Sequence, residues 1–320
     1  MSPNASEYHI DNKEPPDSSL ILKNKLSLKE AGEMNGSFFV AGLECFIVEV
    51  VSNIERCHFL WQEFSPQNNL FETWEFRYAF YKGYGFKPYF VLLKSKDKNL
   101  ALLPLWFDED KKEYQWFGSY WQEEISFFAQ NPNLVPILLS LAPSPLFLNA
   151  ILKENVAPLN GKIHFEDDCP KYILNLENFK NHEDFLMTLK KSRRHDLRKD
   201  RRRIERRSPE IIIDNFDDID ELIALAKGRF KDKGEETDWE DLRRIKTFKE
   251  VINLSGRSYK TRMITIKING RAAGVDLICL FNNTYYAVKC GYDVKNFSGI
   301  GNFMNLLEIV LAFLLLKKIF

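Results

Sequence analysis

The stretch TRMITIKI-NG-RAAGVDLICLF-NN-TYYAVKCGYD, residues 261–293, limits the fold more than any other part of the chain. Apolar and β-branched residues alternate on both sides of Asn269-Gly270 and of Asn282-Asn283. A two-residue hairpin loop of type I′ needs positive φ at both central positions, and Asn and Gly tolerate this best. Three antiparallel strands are therefore predicted over 261–268, 271–281 and 284–293. The residues that follow, NFSGIGNFMNLLEIV (296–310), set Gly299 and Gly301 ahead of an apolar-periodic run. That pattern predicts a helix over 301–316.

The first half of the chain carries a similar order. ECFIVEVVS (44–52) reads as a buried strand, and Phe71, Trp74, Tyr78 and Tyr81 recur at helical spacing over 69–82. PYFVLLKS (88–95), NLALLPLWF (99–107) and YQWFG (114–118) form a second predicted meander, followed by loops and a short helix through 158. A second unit opens with KYILNLEN (171–178) and continues as a helix over 182–207, a strand over 210–216, and helices over 217–231 and 239–254. KKIF (317–320) reads as the start of another strand. Residues 74–107 can be laid beside 248–281 with few gaps, which implies an internal duplication. Helices segregated around antiparallel meanders predict an α+β fold of two tandem units rather than a doubly wound parallel sheet. The expected divisions are a weakly ordered tail over 1–36, a first unit over 37–165 and a second over 166–320.

Bulk properties exclude several classes of function. The 320 residues carry 45 basic and 45 acidic side chains, so the molecule has no general attraction to DNA or to a membrane surface. Five scattered cysteines form no CxxC pair, which predicts reduced thiols rather than a disulfide framework or a metal site. His58 beside Cys57, and His195, lack ligand spacing. The polar, acidic start MSPNASEYHIDNKEPPDSS is unlike a signal peptide, and IVLAFLLL (309–316) falls short of the ~20 residues that span a bilayer. A cytoplasmic protein without a transmembrane segment is the expectation.

Two features carry chemistry. A glycine turn between a strand and a helix frees backbone N–H groups for an anion, and the helix dipole adds roughly half a positive charge. Ser298, Gly299, Ile300, Gly301 and Asn302 form that turn here, without the Lys of a Walker loop or the third glycine of a dinucleotide fingerprint. On these residues alone, a tight turn and a phosphate cradle both remain open. The second feature runs from Lys190 to Arg207, with eleven Lys or Arg against three acids. Leu186, Leu189, Leu197 and Ile204 give it a narrow apolar stripe, leaving the remaining faces basic and suited to phosphate. No aromatic residue interleaves the basic ones, which argues against RNA base stacking.

Read together, the segments resemble a known family. GYDVKNFSGIGNFMNLLEIVLAF is similar to the Gly-Tyr-Asp … Ser-Pro-Gly … Leu-Leu … Ile segment of the cellulose-biosynthesis-associated (CelD-type) acetyltransferases of the GNAT superfamily. FLMTLKKSRRHDLRKDRRRIER looks like that family's basic helix, and NNLFETWEFRYAFYKGYG…LLPLWF resembles its N-terminal module. The resemblance covers most of residues 60–320. This sequence departs from the family in lacking the proline between Ser298 and Gly299. It also ends before the family's next strand and its Tyr-Lys pair, which implies a second unit truncated at its C-terminal end. The family is similar in architecture to the Fem peptidyltransferases, which also pair two GNAT-like units.

The resemblance implies an acyl-coenzyme A-dependent N-acyltransferase of two GNAT-like modules, with acetyl-CoA or another acyl-CoA as co-substrate and no metal. It implies an amine acceptor, a small molecule or a saccharide such as an amino sugar of polysaccharide or envelope biosynthesis. Residues 298–302 would hold the coenzyme's pyrophosphate, and Arg194 and Arg198 would lie at the substrate site. Acyl transfer needs a base, a donor to the oxyanion and an acid for the leaving thiolate. Asp293 is the first candidate base, Asp276 the second, and Tyr292 the candidate acid. A backbone N–H of strand 284–291 would meet the oxyanion. Two other readings stay open: a Fem-like transferase using aminoacyl-tRNA, and a non-catalytic GNAT-like binding module.

Overall fold

A computed structural model describes residues 19–24, 36–40, 44–152, 165–168 and 171–316. The first strands are β1 (Ser19–Asn24), β2 (Gly36–Val40) and β3 (Glu44–Val51). Helices α1 (Ile54–Phe64) and α2 (Trp74–Tyr84) follow. The meander is β4 (Pro88–Ser95), β5 (Lys98–Asp108) and β6 (Glu113–Trp116). A short β7 (Phe128–Ala129), helix α3 (Val135–Ser140), β8 (Leu146–Leu152) and β9 (Phe165–Asp167) complete a nine-stranded sheet. Its order is β2-β3-β4-β5-β6-β8-β1-β9, with β7 on β5, and only the β6–β8 pairing is parallel.

The rest of the chain repeats the central part of that plan. Helices α4 (His182–Thr188) and α5 (Lys191–Glu205) lead into β10 (Glu210–Ile213). Then come α6 (Ile219–Lys233), α7 (Leu242–Asn253) and the meander β11 (Lys260–Ile268), β12 (Arg271–Phe281) and β13 (Thr284–Tyr292). Helix α8 (Ile300–Leu316) closes it. Strand, two helices and an antiparallel meander thus occur twice, as β3-α1-α2-β4-β5-β6 and as β10-α6-α7-β11-β12-β13. The α+β architecture of two tandem units holds. Asn269 and Gly270 have φ of 53° and 74°, and Asn282 and Asn283 have 44° and 57°, as a type I′ turn requires.

The two units share a core. Helix α7 lies on its counterpart α2, where Phe80 and Phe248 meet edge to face at 6.0 Å. A Cβ on Gly83 would come 2.8 Å from the Arg243 carbonyl oxygen, so this crossing needs glycine. Arg244 of α7, almost fully buried, donates to the Tyr120 carbonyl at 3.2 Å. The Leu70 N–H donates to the Tyr286 hydroxyl, and Phe71 packs against the Tyr286 ring at 5.7 Å. Trp61, Trp106 and Trp116 are wholly buried in the same cluster. Each such ring removes ~150–250 Å² from water, at about 25 cal/mol per Å² of apolar surface.

Three expectations need correction. Ser19–Asn24, assigned to a weakly ordered tail, forms a strand between β8 and β9. Its three consecutive apolar residues, Leu20, Ile21 and Leu22, are too short a run for sequence periodicity to separate from a tail, and the partner strands supply its hydrogen bonds. The stretch through 158, expected as loops and a helix, contains the strand Leu146–Leu152. The helix expected over 182–207 is broken at Leu189 and Lys190, where Leu189 has extended ψ of 154°. The Arg194 guanidinium there donates to the carbonyls of Met187 (2.9 Å) and Leu189 (2.6 Å), ending α4 without Gly or Pro. The KKIF segment and Cys169 lie outside the described residues; Cys57, Cys279 and Cys290 are free thiols.

Candidate functional site

The second sheet is covered on one face by α6 and α7 and on the other by α5 and α8. Strand β13 pairs only with β12 among the described residues, so its outer edge is free. Its pairing slips between Leu277↔Lys289 and Ile278↔Ala287, leaving Val288 as an extra residue. Such a bulge bends a strand and re-aims its side chains. Val288 packs into the main core, and Lys289 points to the same side, with Nζ 5.5 Å from the Trp239 ring centre and 5.4 Å from that of Phe248.

Beyond β13 the chain makes the predicted glycine turn. Asp293 fixes its start: its carboxylate accepts from the Asn296 N–H at 3.0 Å and from the Asn296 side-chain amide, with Arg271 3.5 Å away. Gly299 has φ of +90°, and a Cβ there would stand 2.7 Å from the Asp200 carboxyl carbon. Asp200, an acid within the basic helix, accepts from the Asn302 amide at 2.6 Å and pairs with Arg203 at 3.2 Å. Arg203 donates to the Ser298 hydroxyl at 2.9 Å, Arg207 to the Asn296 carbonyl at 3.1 Å, and Arg193 to the Asn302 side-chain oxygen at 3.1 Å. Ile300 is fully buried, and a Cβ on Gly301 would make ordinary 3.4 Å contact with the Tyr292 ring. The first-turn N–H groups of α8 at Gly301 and Asn302 lie outside the intrahelical ladder, as in any helix. The basic helix and the glycine turn are therefore one structure.

Arg194 and Arg198 stand elsewhere on α5. Arg194 holds the end of α4, and Arg198 pairs with Glu183 at 2.8 Å. With Lys191, His195, Arg201 and Arg202 they line a shallow basic cleft of about 530 Å³. The structure brings Arg193, Arg203 and Arg207 to the turn instead. Helical phase is the signal that distinguishes them: the turn lies beside Asp200, and Arg203, Arg193 and Arg207 stand three or seven residues from it, on the same side.

Asp276, Tyr292 and Glu308 meet under α8. Asp276 lies at the centre of β12, opposite Cys290, and only 1% of it is exposed. It faces Tyr292 and Glu308, yet neither of its oxygens has a well-aligned hydrogen-bond donor among the described residues. Burial pushes its pKa well up, and the charge of Glu308 pushes it further. Burial raises the Glu308 carboxyl to about 7. The Tyr292 phenol is raised too, first by burial and then by Asp276. Glu308 had no place among the sequence candidates, because it sits in an apolar helix whose register only packing reveals.

On the opposite face, a cleft of about 350 Å³ opens between α6 and the end of β13. Arg229, Phe230 and Lys233 of α6 line it, with Asp238, Trp239 and Lys289. Lys289 Nζ is 3.6 Å from Asp238, which also pairs with Arg244 at 2.9 Å. Burial first and the Arg244 charge second, opposed by Asp238, together lower the Lys289 amine to about 8. Among the described residues, no group of three or more His, Cys, Asp or Glu is arranged to hold a metal ion, and no helix is long and apolar enough to cross a membrane.

Comparison with known proteins bears on the same elements. Residues 191–307 match the family model described as an acetyltransferase (GNAT) domain. Among solved structures, the chain is similar to FemX, with 10% identity over 82% of this chain and 85% of that one, at a TM-score of 0.49. It is also similar to a conserved protein of unknown function from Bacteroides thetaiotaomicron VPI-5482, with 13% identity over 83% and 88% of the two chains, at a TM-score of 0.48. No curated protein matches. The residues that build this site, from the start of α5 to the first turns of α8, are the ones that resemble the GNAT acetyltransferase domain model.

Proposed function

We propose that this protein is an acyl-coenzyme A-dependent N-acyltransferase acting on an amine acceptor. An amino sugar of polysaccharide or envelope biosynthesis is the acceptor class suggested by the resemblance to the CelD-type family. The observation that carries the reading is the junction of α5 with the 296–302 turn. Arg203 and Arg207 donate there to the Ser298 hydroxyl and the Asn296 carbonyl, beside the helix N-terminal N–H groups, a set of donors that would suit a pyrophosphate. From that turn the coenzyme's pantetheine arm follows the free edge of β13. Its thioester then lies near the bulge at Val288, where outward N–H groups of the strand can meet an oxyanion. Tyr292, kept protonated by burial and at the strand end nearest the turn, donates a proton to the departing thiolate, and its phenolate is restored by the proton that the acceptor nitrogen loses. Asp293 holds the turn and stays the first candidate base, while Asp276, buried under α8 and facing Glu308, is the second.

Titration calorimetry with acetyl-CoA tests the reading. Binding that weakens about a hundredfold or more on Arg203→Ala/Arg207→Ala is expected, since each lost charge-assisted bond to phosphate costs ~1.5–3 kcal/mol. No heat of binding with the folded full chain would sink the proposal. A second reading rests on the open basic cleft of α5: a Fem-like transferase that takes its acyl group from aminoacyl-tRNA. It requires tRNA binding that falls steeply with salt and is abolished by Arg201→Glu/Arg202→Glu.

A further inference from the structure

The cleft between α6 and β13 holds an amine that the proposed transfer does not use. Lys289 enters it from the bulge and lines its wall, with Nζ 5.5 Å from the Trp239 ring centre and 5.4 Å from that of Phe248. The charged groups around it are unequal. Arg229 and Lys233 face the cleft from α6, Arg244 approaches from α7, and Asp238 alone is acidic, already shared with Arg244. A fourth cation in such surroundings gives up its proton readily, and an unprotonated amine is a nucleophile. Lys289 is also three residues before the end of β13, about 10 Å from it along a strand. A pantetheine arm anchored at the 296–302 turn covers that distance.

We propose that Lys289 is a self-acylation site: its Nζ takes the acyl group from acyl-CoA bound along β13. The inference rests on the acyl-CoA reading above. The neutral amine attacks the thioester carbonyl, a C–N bond forms as the C–S bond breaks, and the coenzyme leaves as a thiol carrying the proton lost by nitrogen. The product is an amide without charge. It removes one cation from the cleft, leaves Asp238 to Arg244 alone, and places an acyl group where an acceptor amine would enter. Acylation of Lys289 therefore closes the site to its acceptor.

Peptide mass spectrometry of the full chain, incubated with acetyl-CoA and no acceptor, tests this beside calorimetric binding. One acetyl group on Lys289 is expected, forming about tenfold faster per pH unit below about 8 and levelling above it. Lys289→Arg should bind acetyl-CoA and stay unmodified at that position. If acetyl-CoA binds but Lys289 gains no more label than the exposed Lys199, self-acylation is overturned and the acyl-CoA reading stands. If acetyl-CoA does not bind, both fall. Competitive labelling with trace acetic anhydride needs no coenzyme and reads the amine directly. An apparent pKa near 8 for Lys289 supports the inference, and an ordinary lysine value or an unreactive amine overturns it.

Discussion

Gly299 and Gly301 look equivalent in SGIGN, yet the structure asks different things of them. Gly299 has left-handed φ and no space for a Cβ beside Asp200, whereas Gly301 is helical and has room. Gly299→Ala should therefore destabilise the protein by roughly 1–3 kcal/mol and weaken acetyl-CoA binding. Gly301→Ala should be near neutral, because gained helix propensity of up to ~1 kcal/mol offsets any crowding. Urea denaturation of the two variants distinguishes them. Asp276 and Glu308 make a second prediction. Both carboxyls are raised in the folded state, so the native protein holds more protons than the unfolded chain between about pH 4.5 and about 7. Stability is then greatest below that window and falls as pH rises through it. Glu308→Gln should flatten the slope and add ~2 kcal/mol at pH 8, measured as the shift in urea midpoint. An unchanged pH dependence would show that the pair does not titrate in the folded state.

At the scale of elements, the coupling of α5 to the turn before α8 is what builds an anion site from a basic helix. Asp200 is its pivot, holding Asn302 and Arg203 at once. Asp200→Ala should speed amide hydrogen exchange across 298–302 while leaving the β11–β13 meander protected. Uniform acceleration through both would mean that Asp200 supports the whole unit rather than the turn. The meander itself was legible from sequence, with β12 found at its observed ends and β11 and β13 within a residue. Local turn chemistry and a period of two fix hairpins before any tertiary contact forms. The break at Leu189 was not legible, because an arginine five residues on replaces the usual helix stop signals. For the same reason the substrate arginines inferred from resemblance, Arg194 and Arg198, fall on a different face of α5 from those that reach the turn.

Across the whole molecule, the two units are joined by core rather than by a linker. Five of the six tryptophans lie in the first unit and Trp239 alone in the second, so fluorescence and hydrogen exchange of β11–β13 report different halves. Their unfolding transitions should coincide in urea. Gly83→Leu, which forces α2 from α7, should lower stability by about 2–4 kcal/mol and separate the transitions. Coincident transitions in that variant would show that the α2–α7 crossing does not join the units. What the sequence alone determined was the repeated plan and the two features that carry charge and glycine, since period, turn residues and composition are local properties. The tertiary structure alone decided that Asp200 needs Gly299, that Asp276 meets Glu308, and that Lys289 lines a cleft of cations. Those pairings join residues many positions apart. Burial and neighbouring charge, which set their chemistry, exist only once the chain has packed.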